Sequence, residues 1–104
     1  MKFYLKNRNG RFDAVGEYDE VDKSFVVLKG SLVSDDISSA PTFKGANAVI
    51  ERRAEFVVNC RVVKDVAFKS PSTAANFVTG RSSDGCSLWK DETGRSFKEV
   101  IRGN

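Results

Sequence analysis

The chain has 104 residues, 17 Lys and Arg against 14 Asp and Glu, a formal net charge of +3 and no histidine. Histidine-based triads, imidazole zinc sites and histidine-held haem are therefore excluded. With 40% hydrophobic and 30% charged residues it is an ordinary globular mixture. One domain over residues 1–104 is expected, burying roughly 65% of its extended-chain surface without the help of metal or disulfides.

The charge is unevenly placed. Residues 1–52 carry 8 basic and 8 acidic side chains, and residues 53–104 carry 9 and 6. This basic excess permits a polyanionic partner and does not require one. The cysteines, Cys60 and Cys86, stand apart with no Cys-x-x-Cys pair, as reduced thiols of a cytoplasmic protein would. The opening MKFYLKNRNG has no signal-peptide core, and apolar runs reach only about four residues, as at 25–28. No segment approaches the ~20 apolar residues of a membrane span.

The first third reads as an antiparallel meander. Phe3, Tyr4 and Leu5 lead into Asn9-Gly10, a type I′ turn signal. Phe12, Ala14 and Gly16 alternate with polar residues up to Tyr18, an acidic turn follows at residues 19–22, and residues 25–29 give a third strand closed by Gly30-Ser31. Residues 33–40 are polar, serine-rich and expected to form a loop. Thr42 is placed as the cap of a helix over residues 43–58, because Phe43, Ala46, Ile50, Ala54 and Val57 recur at helical spacing. Asn59 is the expected left-handed residue at its end. Residues 61–63 and 66–68 read as short strands.

Ser70-Pro71 is the cleanest helix start: serine caps and proline takes the first helical position. That helix is expected over 71–79 with Gly80 after it. Residues 82–85 form a turn, 87–90 a strand and 91–94 a turn, and 96–101 close the fold. The expected class is α+β: an antiparallel sheet with one longer central helix and one short Ser-Pro-capped helix.

Residues 68–90, FKSPSTAANFVTGRSSDGCSLWK, carry a family pattern. Phe68, Ser70-Pro71-Ser72, Ala74-Ala75, Gly80, Asp84-Gly85 and Trp89-Lys90 resemble the signature of a bacterial family catalogued as domain of unknown function 4357. Lys29-Gly30-Ser31 and Arg53 fit it as well, so the family-like core spans about residues 25–100. The segment is also similar to the restriction adenine-methylase-associated domain, from which Cys86 departs by replacing a bulky residue. The resemblance implies a restriction or defence context, fusion to or proximity with GIY-YIG-type nucleases or methylases, and no catalytic activity of the domain itself.

Three function classes follow. The first is a non-catalytic nucleic-acid-recognition module contacting DNA or RNA phosphates through Lys69, Ser72, Thr73, Arg81 and Lys90 around the start of the Pro71 helix, with Trp89 either packed in the core or stacking on a base. The second is a protein–protein docking domain that positions a nuclease or methylase subunit. The third is a small enzyme, for which the sequence offers no nucleophile elbow, phosphate-cradling loop or metal-spaced cluster. No cofactor and no metal ligand set is expected: the acidic runs at Asp19-Glu20, Asp35-Asp36 and Asp91-Glu92 lack the spacing of a calcium loop. Arg52-Arg53 on the central helix reads as a solvated pair or one bridged to Glu51 and Glu55, with a place in a basic face as the functional alternative.

Overall fold

The computed structural model describes residues 1–103. Strands β1 (Lys2–Lys6), β2 (Asp13–Asp19), β3 (Ser24–Val27) and β6 (Val66–Phe68) form a four-stranded antiparallel sheet in the order β1-β2-β3-β6. Alternation puts Phe3, Leu5, Ala14, Tyr18, Phe25, Val27, Val66 and Phe68 on one buried face. Lys2, Tyr4, Lys6, Glu17, Val26 and Ala67 point the other way and are exposed or half-buried, with no helix over that face among the described residues. The fold is thus α+β with a one-sided sheet, as its alternating strands require.

The buried face is covered by helix α2 (Pro71–Thr79), short helices α3 (Gly85–Leu88) and α4 (Phe97–Arg102), and one side of α1 (Ala46–Phe56). The centre is aromatic. Trp89 is fully buried with its ring 4.6 Å from that of Phe25, and Phe97 meets Phe3 at 5.2 Å and Tyr18 edge-on at 4.8 Å.

The Ser70-Pro71 start is realised as expected. Ser70 Oγ accepts from the Thr73 backbone N–H at 3.1 Å, Pro71 takes the first helical position, and Gly80 follows with φ +72°. Nine residues cannot hold a helix alone; α2 persists because Ala74, Ala75, Phe77 and Val78 are all fully buried. Replacing Ser70 with alanine should cost about 1 kcal/mol, read as a drop in Tm of roughly 4–8 °C in thermal unfolding.

Several expectations are corrected. The loop of residues 7–12 is not a type I′ turn at Asn9-Gly10: only Gly10 there has positive φ, and Asn7 Oδ1 accepts from the Asn9 N–H at 2.7 Å, an Asx turn that holds the loop instead. The two-residue turn with both φ positive lies at Asn59-Cys60, at +49° and +65°, joining β4 (Val57–Val58) to β5 (Arg61–Val62). Asn59 is left-handed, but in a hairpin rather than at a helix end. The acidic turn at 19–22 is a turn: Asp19 Oδ1 accepts from the N–H groups of Val21 and Asp22.

α1 begins three residues later than the apolar spacing suggests, after Gly45 and with no side-chain cap, so Thr42 does not cap it. Its inward face also differs. Val49 is its buried residue, while Ile50 is 51% exposed and Ala54 faces solvent. The helix is turned so that Arg53 points inward, where backbone carbonyls await it. Residues 87–90 are not a strand. Helix α3 occupies their start, and only Lys90 pairs as a strand residue, with Tyr4 and Ser96. The closing stretch is helical from Phe97 to Arg102, opened by a capping box in which Ser96 and Glu99 bond each other's backbone N–H.

Candidate nucleic-acid interface

The first turn of α2 is a closed structure. Ser70 Oγ occupies the Thr73 N–H, and Thr73 Oγ1 donates back to the Ser70 carbonyl at 2.9 Å. Ser72 Oγ accepts from the Gly85 N–H at 3.0 Å. Gly85 lies so close over this turn that a Cβ built on it would stand 2.1 Å from the Pro71 carbonyl oxygen and 2.5 Å from Ser72 N. Trp89 Nε1 donates to the same Pro71 carbonyl at 2.9 Å. An anion approaching along the helix axis meets α3 rather than free N–H groups. Ser72 therefore belongs to the packing of α2 against α3. Trp89, at 0% exposure, presents no ring face to a ligand, and the stacking role expected of it is corrected to one in the core.

Arg81 lies beyond the opposite end of α2. The nine residues between span about 13 Å. Arg81 pairs there with Asp36 at 3.2 Å, beside Arg11, which reaches Asp35 at 3.6 Å and Asp36 at 3.7 Å. A cation so engaged, in a shallow depression shared with Asp36, is a poor phosphate ligand. Lys90 is exposed, but its backbone pairs with Tyr4 on the outer edge of β1. Lys69 follows β6 at the other edge of the sheet. Three strand spacings, roughly 14 Å, separate those edges. Of the six residues expected to share a face, only Lys69 and Thr73 come together.

They meet on a groove of about 230 Å³ between α1 and α2. Gly45, Ala48, Val49 and Arg52 form one wall, Thr73 and Asn76 the other, with Phe68 and Phe77 beneath and Lys69 at the mouth. The lining is mostly apolar and contains no carboxylate. Arg52 NH1 donates to the Ala67 carbonyl at 3.1 Å, and its guanidinium carbon lies 5.0 Å from the centre of the Phe68 ring and 5.9 Å from that of Phe56. Lys64 Nζ approaches Phe56 at 5.0 Å. Among the described residues, Arg52, Lys64 and Lys69 form no ion pair. Arg52 is therefore not bridged to Glu51 or Glu55. The groove was not legible beforehand, because it needs the rotation of α1 that turns Ala48 and Arg52 toward α2.

Arg53, next in sequence, serves the fold. Its guanidinium donates five hydrogen bonds: Nε to Phe77 O at 3.0 Å, NH2 to Val78 O at 3.3 Å and to Ser34 Oγ at 3.0 Å, and NH1 to Ser34 O at 2.8 Å and Asp36 O at 3.4 Å. It satisfies the last carbonyls of α2 and ties them to the buried segment at Val33 and Ser34. Burial pushes its pKa down, and the neighbouring Cys60, Asp36 and Asp35 act to raise it. The Asp91 carboxyl is held below its ordinary value chiefly by the Thr93 hydroxyl; it organises its own turn, accepting from Thr93 and Arg95.

Cys60 and Cys86 are half-buried free thiols. Among the described residues, no three of the Asp, Glu and Cys side chains gather as a metal set, and no helix is long and apolar enough to cross a membrane.

The molecule is a small α+β domain with a one-sided antiparallel sheet and a cationic groove between its two longest helices. Compared with known families, residues 3–101 match the one described as Domain of unknown function (DUF4357), and the chain belongs to that family. No curated protein and no solved structure matches it.

Proposed function

We propose that this domain is a non-catalytic nucleic-acid-recognition accessory module of a bacterial restriction or defence-type system. The observation that carries the reading is the groove: an apolar floor flanked by Arg52 and Lys69, with no carboxylate in its lining. Nucleic acids offer that combination in reverse, apolar base faces strung on an anionic backbone. Lys69, Arg52 and the nearby Lys64 supply phosphate contacts, which set affinity and salt dependence but carry no sequence readout. The resemblance of the Ser-Pro-Ser-x-Ala-Ala segment to restriction-associated domains supports the cellular context, with a nuclease or methylase as the companion subunit.

Fluorescence anisotropy of end-labelled DNA and RNA tests this reading. Affinity should fall steeply between about 50 and 200 mM salt. Lys69→Ala should weaken binding to all sequences alike and reduce the salt slope by roughly 1. Intrinsic fluorescence is the wrong probe, since buried Trp89 reports the fold and not the surface. No binding of any probe at low salt, confirmed by mobility shift, would remove the nucleic-acid reading and leave docking of a protein partner.

A further inference from the structure

We propose that the groove between α1 and α2 takes a single unpaired base of a nucleic-acid strand, its adjoining phosphate held between Arg52 and Lys69; this rests on the nucleic-acid reading above.

Of the polar groups lining the groove, Arg52, Lys69 and the Asn76 amide present donors, and the Thr73 hydroxyl is already engaged with Ser70. Asn76 Oδ1 is already occupied, accepting from the Ser83 N–H at 2.8 Å, and this orients the amide so that Nδ2 lies beside Gly45 at the groove wall. Arg52 and Lys69 donate only. A matching ligand is therefore flat, apolar on its faces, rich in acceptors at its edge, and attached to an anion. An unpaired base with its phosphate meets all four conditions: base edges carry ring-nitrogen and carbonyl acceptors, and the phosphate supplies the charge. An acyl chain would leave the Asn76 donor and one cation without a role.

The volume narrows the choice further. About 230 Å³ is below the roughly 300–1,000 Å³ of pockets that take drug-sized ligands. It suits one ring system, and a base still paired would bring its partner with it. Arg52 also has the geometry for stacking. One side of its guanidinium already rests near Phe68, and such planes stack on unpaired bases as aromatic rings do.

The test compares three labelled probes by anisotropy: a perfect duplex, the same duplex with one central bulged base, and the single strand. The bulged duplex and the single strand should bind about ten-fold more tightly than the perfect duplex, the scale of one stacked base. Ala48→Trp, at an exposed position on the groove wall, should abolish that preference, so that bulged and perfect duplexes bind the variant alike. Far-UV circular dichroism checks that the variant folds, and Ala48→Leu is the smaller replacement should it not. Equal affinity for bulged and perfect duplexes, or a preference that survives filling of the groove, overturns the unpaired-base proposal and leaves the broader reading standing. Competition by a free mononucleotide as effective as that of the bulged duplex overturns it too, since the strand would then contribute nothing. Failure of every probe to bind removes both.

Discussion

Replacing Arg53 with methionine is expected to cost about 1.5–3 kcal/mol, the range for losing hydrogen bonds made by a charged group to partly buried acceptors. Methionine retains much of the apolar stem but none of the donors. Phe77 O, in the last turn of α2 where carbonyls lack partners within the helix, and Ser34 O would lose the donor that joins them, while Val78 O keeps the Ser34 N–H and Asp36 O keeps the Ser34 hydroxyl, each at 2.9 Å. Arg53→Lys should recover less than half of the loss. One ammonium cannot serve acceptors spread over two chain segments, as the planar five-donor fork does. A domain of this size commands about 5–15 kcal/mol in total, so the methionine variant should unfold at clearly lower urea. Urea unfolding followed by circular dichroism, with Trp89 fluorescence as a second probe, measures the difference. A loss under about 1 kcal/mol would mean that water replaces the guanidinium and that the clamp is dispensable. Because arginine stays protonated throughout the neutral range, the effect should not vary between pH 6 and 8.

The same residue explains where sequence reading succeeds and where it fails. Signals enclosed within a few residues were legible: Ser70 capping Thr73, Pro71 at the first position and Gly80 in the left-handed region are all satisfied inside one turn of chain. The face of α1 was not legible, because two patterns competed there. The apolar set of Ala46, Ile50 and Ala54 suggested one orientation; five hydrogen bonds from Arg53 select another, about 100° away. The α4 capping box is equally local, complete within Ser96-Phe97-Lys98-Glu99. The apolar Leu88-Trp89 pair suggests a strand over residues 87–90, yet the apolar requirement there is met by a single turn of helix that delivers Trp89 to the core.

The site shows the same division. Lys69, Ser72, Thr73, Arg81, Trp89 and Lys90 are close in sequence, but α2 is a rigid spacer that carries Arg81 away from Lys69, and Lys90 leaves toward the far edge of the sheet. Arg52 and Asn76, which complete the groove, lie outside the recognisable segment or are unremarked within it. The residues that make the family resemblance recognisable are mostly those that lock α2 in place. Ser70 caps it, Pro71 starts it and accepts the indole N–H, Ala74 and Ala75 let it lie against the sheet, and Gly80 ends it where a Cβ would stand 2.2 Å from the Asp36 carbonyl. A pattern of that kind identifies a fold more directly than it identifies a ligand.

Gly85→Ala is the sharpest test of that interpretation, with an expected loss of about 3 kcal/mol, the upper part of the usual overpacking range. Gly85 has no positive φ, so its backbone conformation is open to any residue and the cost is steric alone. The added methyl would meet Pro71 O at 2.1 Å, Pro71 C at 2.2 Å and Ser72 N at 2.5 Å. All three are backbone atoms in the first turn of a helix whose inner side is fully buried, so none can swing aside as a side chain would. At roughly 4–8 °C per kcal/mol for a domain near this size, Tm should fall by about 12–24 °C. Gly94→Ala is the matched control: φ is +90° there and nothing lies within 4 Å of the new Cβ, so only the conformational cost of about 1–2 kcal/mol applies. If Gly85→Ala costs no more than this control, α3 has room to retreat from α2. The Trp89–Pro71 hydrogen bond would then have to lengthen with it, and the first turn of α2 would be open to an anion after all. A loss well beyond the control means that the turn is sealed by the fold, and that phosphate recognition has to come from the side of the helix, through Lys69 and Arg52.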